Sequence, residues 1–118
     1  MRIPGCSRPQ ALRPLDLLVS LQRADGSWDL TAELARFLSL TLRRIEKELR
    51  HATGDRDTAR RALATALAVA WLERHAAADR GEWNLLAGKA ESFVSASGTE
   101  PAAGQGWHAW IDAARRLV

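Results

Sequence analysis

From Pro14 onward, apolar side chains return every three or four residues, and no stretch alternates apolar and polar residues over the length of a strand. Leu42, Ile45 and Leu49 stand at i, i+3, i+7, and Trp107, Trp110, Ile111, Ala114 and Leu117 repeat the pattern near the end. Such spacing lines one face of an α-helix. The helical segments are short and punctuated by Asp25-Gly26, Gly54-Asp55, Gly81 and Gly98. The expected fold is therefore all-α, a compact bundle of five or six short helices. A length of 118 residues is that of one domain, and 47% hydrophobic residues is too apolar for a disordered chain.

Residues 1–13 hold Pro4, Gly5, Ser7 and Pro9 without periodicity and read as a flexible basic leader or linker. Residues 14–118 read as a single helical interaction domain. Pro14 suits a first helical position, and the run Leu15, Leu17, Leu18, Val19, Leu21 is apolar nearly all round, which predicts a central first helix. Thr31 is the expected cap of a second helix, and Ser39 or Thr41 that of a third. On the third, Glu46 and Arg50 are spaced to pair. The longest helix is expected over about 58–78, capped by Asp57 or Thr58 and stopped by Gly81, with alternate alanines that let neighbours approach closely. A fifth is expected over about 82–96, its Gly88 explained by close packing. A loop over 98–106 and a last helix from Trp107 complete the chain.

Charge narrows the partners. Arg2, Arg8 and Arg13 precede Pro14 with no acid among them, which leaves fourteen basic and fourteen acidic residues in the rest of the chain. The body thus lacks the broad cationic surface that nucleic acid selects. The mostly apolar run Ala62–Leu72 is too short to span a bilayer. A single cysteine, Cys6, excludes an internal disulfide framework and a multi-cysteine zinc site, and a lone thiol fits a reducing, cytoplasmic setting. His75 and Asp79 share a helix face, but nothing suggests a third metal ligand, and His51 and His108 stand alone. No phosphate-binding glycine loop, nucleophile elbow or zinc-protease motif occurs. No cofactor, metal, catalytic residue, membrane or small-molecule substrate is expected, and the chain reads as non-enzymatic.

The sharpest local feature is Gln22-Arg-Ala-Asp25-Gly26-Ser27-Trp28. A helix ends, the chain turns at glycine, and a tryptophan folds back. The Gln22 amide is placed to bond the loop backbone, so the segment reads as a structural corner clamp. The string also resembles the Q-x-x-D-G-S-W motif of terpene cyclases, which would make the chain a cyclase-like helical fragment. That motif recurs within a large toroid, whereas here it occurs once and no acidic D-x-D-D cluster follows it. Asp25-Gly-Ser27-Trp-Asp29 imitates a von Willebrand A-domain metal site, but that site follows a strand.

Five tryptophans is many for this length. Trp28, Trp71 and Trp83 fall on expected core stripes and, with Gln22, Asp25 and Gly26, should hold the fold together. Trp107 and Trp110 lie one turn apart. Either both pack into the core, or part of one stays exposed as an interface anchor. With Phe37, Arg43 and Arg44 on the second and third helices, they are the candidate contact residues.

The segment Leu15–Leu40, LDLLVSLQRADGSWDLTAELARFLSL, resembles the C-terminal region of the VIT and von Willebrand factor A domain-containing protein 5 group. It is also similar to the C-terminal part of vault poly(ADP-ribose) polymerase. The likeness continues through Ala62–Leu72, Glu82–Ala90 and Trp110–Ala114, and so covers about residues 15–118. In that family the region is a non-catalytic helical module, and in the vault polymerase it binds major vault protein. The resemblance implies a protein-interaction module of the vault-interaction type, with major vault protein as the partner. The alternative it leaves open is a structural capping domain of a larger VIT and von Willebrand A protein.

Overall fold

The computed structural model describes residues 14–50, 52–99 and 106–118. The leader, Cys6, His51 and most of the expected loop over 98–106 lie outside them. The described residues form an all-α bundle of six helices without a strand: α1 (Pro14–Ser20), α2 (Ala32–Phe37), α3 (Leu42–Lys47), α4 (Arg56–His75), α5 (Arg80–Ala96) and α6 (Gly106–Leu117). One turn of 3-10 helix, Ala77–Asp79, joins α4 to α5.

Helix α4, rather than α1, is the centre. Every residue from Ala62 to Ala70 is buried, as is Leu72. Its alanines keep the helix thin, so α5 and α6 both pack on it and on each other. Seven residues make only two turns, so α1 can present a single stripe to the core. It buries Leu15 and Leu18 and leaves Leu17 40% exposed. It also ends at Ser20, five residues before the Asp25-Gly26 turn.

Side-chain oxygens start the helices where amides would otherwise be unpaired. Thr31 accepts the Leu34 N–H at 3.1 Å and Thr41 the Arg44 N–H at 3.2 Å. Asp55, not Asp57 or Thr58, caps α4: its carboxylate accepts the amide of Thr58 at 2.9 Å and its hydroxyl at 3.0 Å. Ser39 caps nothing. It takes the left-handed conformation that ends α2 (φ 61°), with its N–H bonded to the Arg36 carbonyl and the Leu40 N–H to that of Ala35.

Further expectations are corrected by packing. Glu46 does not pair with Arg50, which falls beyond the end of α3 at Lys47, but reaches Arg60 on α4. Gly81 lies inside the first turn of α5; α4 closes earlier, at Ala76, whose carbonyl accepts the indole N–H of Trp83 at 2.8 Å. Gly88 is not a close-packing position, because a Cβ there would meet nothing within 4 Å.

The buried tryptophans share one device. Trp28, Trp83 and Trp110 are 0%, 1% and 0% exposed. Each indole N–H donates to a main-chain carbonyl at the end of a helix or just past it: Leu18 at 2.9 Å, Ala76 at 2.8 Å and Thr99 at 3.0 Å. A large apolar ring thereby satisfies its own polar atom and fixes where the chain turns.

Candidate interaction surface

The corner segment is held by six hydrogen bonds and one close main-chain approach. The Trp28 amide donates to the Thr65 hydroxyl oxygen at 2.9 Å, and that hydroxyl donates to the Arg61 carbonyl at 2.7 Å. Thr65 is fully buried, so both bonds form away from water. Gln22 donates from Nε2 to the Gly26 carbonyl at 3.0 Å and reaches the Leu86 carbonyl of α5 at 3.5 Å. Gly26 adopts φ 95° against the main chain of α5 at Lys89. The Asp25 carboxylate accepts the Ser27 amide at 2.9 Å and hydroxyl at 2.6 Å. The hydroxyl bond, more than any other influence, holds the Asp25 carboxyl below its ordinary range. The corner thus ties α1, α4 and α5 together.

Among the remaining tryptophans, Trp71 is only partly buried. It packs at the margin of the core, its ring centre 4.9 Å from that of Phe37 and 5.0 Å from that of His75. Phe37 is likewise part-buried, so it contributes to this aromatic strip more than to a free surface. Trp110 is a core residue, unavailable as a contact residue in this fold, because α6 turns it toward α4 and the Thr99 carbonyl. Trp107 is part-buried, whereas Arg43 and Arg44 are exposed on α3. No ring contact or hydrogen bond among the described residues joins Phe37, Trp107, Arg43 and Arg44 into one patch.

A surface that the helical stripes did not reveal runs along α5. Leu85 is 83% exposed. It borders an open groove of about 760 Å³ with Asp25, Asn84, Gly88, Lys89, Ser92 and Phe93. Its sequence signal is a leucine off the stripe of Trp83, Leu86, Ala87, Ala90 and Val94, one turn from Gly88.

A charged cleft is lined by Asp29, Leu30, Thr31, Asp57, Arg60 and Arg61. Its charges are largely spent on ion pairs: Asp29 with Arg23 at 2.9 Å and Arg61 at 3.2 Å, and Arg60 with Glu46. A separate cleft of about 380 Å³ is lined by Pro14, Leu15, Trp71, His75, Ala76 and Asp79. Among the described residues, no group of three or more His, Cys, Asp or Glu side chains is placed to hold a metal ion. No helix among them is long and apolar enough to cross a membrane.

Von Willebrand factor A domain-containing protein 5A of Mus musculus is similar to this chain, 34% identical over 77 residues. The match takes in 65% of the chain and 9% of that protein, so the chain corresponds to a small part of that relative's length. No family model matches the chain. No solved structure matches it either.

Proposed function

We propose that the chain is a non-catalytic helical protein-interaction module that docks through the outer face of α5. The observation that carries this reading is the groove beside Leu85. An 83%-exposed leucine stands there within a rim of Asp25, Asn84, Lys89 and Ser92. An apolar anchor surrounded by polar groups is the anatomy of a protein interface. Scattered surface leucines are ordinary; this one borders a groove that Gly88 and Phe93 help to line. The resemblance to the vault polymerase region makes major vault protein the partner and a cytoplasmic setting part of the proposal.

Co-sedimentation with purified vault particles tests it. The wild-type chain should pellet with the particles. Leu85→Asp should weaken binding about ten-fold or more while its helical circular dichroism stays unchanged. A wild-type chain that stays in the supernatant rejects the vault reading.

One observation favours a second reading. The similar mouse protein is matched over 9% of its length, as a capping domain within a larger von Willebrand A protein would be. A structural cap predicts no affinity for vault particles and measurable affinity for a VIT or A domain supplied in trans.

A further inference from the structure

We infer that the cleft between α1 and the end of α4 is a receptor for an arginine side chain on a partner polypeptide, with Asp79 as its anion and the Trp71–His75 edge as its wall. This site is separate from the α5 groove and does not depend on it.

The walls are Pro14 and Leu15 from α1, Trp71, His75 and Ala76 from α4 and its cap, and Asp79 from the turn that follows. Its volume of about 380 Å³ suits one long side chain rather than a folded element. The decisive residue is Asp79. It occupies the N-cap position of α5, yet its side chain makes no capping bond. No ion pair or hydrogen bond among the described residues engages its carboxylate. The neighbouring arginine is committed elsewhere: the Arg80 guanidinium lies 5.0 Å from the Trp83 ring centre and bonds Asn84 at 3.4 Å. Asp29 pairs with Arg23 and Arg61, and Glu73 with Arg115, whereas among the described residues the part-buried Asp79 carboxylate at the edge of this aromatic cleft meets no base and is open to a cation from a partner.

Arginine fits better than lysine. The aliphatic stem can lie along Pro14 and Leu15, as long cationic side chains do on apolar surface. The planar guanidinium can stack on an aromatic ring and still bond a carboxylate through two N–H groups, which an ammonium cannot do. The chain already pairs a guanidinium with an indole one residue further on, at Arg80 and Trp83.

The test is a two-dimensional amide NMR titration of the full chain with the blocked peptide acetyl-Gly-Arg-Gly-amide, alongside analogues with lysine or the uncharged isostere citrulline. The arginine peptide should shift the Trp71 indole signal and the amides of His75, Ala76 and Asp79. Citrulline should bind about ten-fold more weakly, as should the arginine peptide to Asp79→Asn. Asp79→Asn keeps the backbone cap, so the other four indole signals report an intact fold. Asp29→Asn and Leu85→Asp should leave the titration unchanged, which separates this site from the α5 groove. Equal binding of citrulline, equal binding of lysine, indifference to Asp79→Asn, or shifts spread over Asp29 and Glu73 would each overturn the assignment.

Discussion

Gly26 passes so close to Lys89 that a β-carbon on the former would lie 2.8 Å from the carbonyl oxygen of the latter. The clash is with main chain in the middle of a helix, which cannot swing aside. Gly26 also holds φ 95°, a conformation that costs other residues on the order of 1–2 kcal/mol. Gly26→Ala should therefore destabilise the fold by about 3 kcal/mol or more. Urea denaturation of the two proteins would measure it, and a loss under 1 kcal/mol would mean that the corner is loosely seated.

Two substitutions should do the opposite. Gly88 sits in the interior of α5 facing open space. Gly88→Ala should stabilise by roughly 0.5–1 kcal/mol by restricting the unfolded chain. Ser39 holds φ 61° at the end of α2, where glycine is the usual occupant. Ser39→Gly should stabilise by up to about 1 kcal/mol. Both appear as a rise in thermal midpoint. Gly88→Ala also narrows the α5 groove, so a weakened partner affinity in a more stable protein would place the interface there.

Thr65 is a buried polar residue that serves two chain segments. Thr65→Val keeps the shape and removes the acceptor of the Trp28 amide. An amide left unpaired at a fully buried residue costs about 1–3 kcal/mol. Thr65→Ser keeps the hydroxyl and should recover part of that loss. Equal stability of the Val variant and the wild type would show that water replaces the bond.

Trp110→Ala should cost about 3–5 kcal/mol, because it empties a core site and strands the Thr99 carbonyl. Any loss of binding in that variant would then report unfolding. Leu85→Asp is the informative interface variant, and its denaturation midpoint should match the wild type within about 0.5 kcal/mol.

Acid should loosen the fold through two carboxylates. The Ser27 hydroxyl lowers Asp25, and the Thr58 amide, followed by its hydroxyl, lowers Asp55. A carboxyl with a depressed folded-state pKa adds stability above its unfolded value, near 3.9, and loses it as pH falls through the folded value. The dependence on pH should thus steepen below about pH 4. In a double variant, Asp25→Asn with Asp55→Asn, that slope should flatten, while asparagine still caps α4. Denaturation midpoints taken from pH 2 to 6 would show it.

Local chemistry made much of this fold legible. Thr31 announced its helix, and Thr41 was one of two caps expected for the next, because an N-cap acts through an amide three residues away. Gln22, Gly26 and Trp28 announced a corner for the same reason. Contacts between helices were not legible. Glu46 had a good local partner in Arg50 and took Arg60 instead, once α3 lay beside α4. Trp107 and Trp110 carried no mark of which would be sealed in, since two tryptophans one turn apart look alike until neighbours cover one and leave the other part-exposed.

Periodicity and turn chemistry were sufficient for the all-α class, the succession of helices and part of the punctuation between them, because each depends on residues within a few positions of one another. Which helix became the axis, which aromatic rings were sealed in, and that Asp79 came to line a cleft with Trp71 and His75 were decided by packing. Burial is a property of neighbours distant in the chain, and here the thin, alanine-lined α4 decided it by letting α5 and α6 close around it.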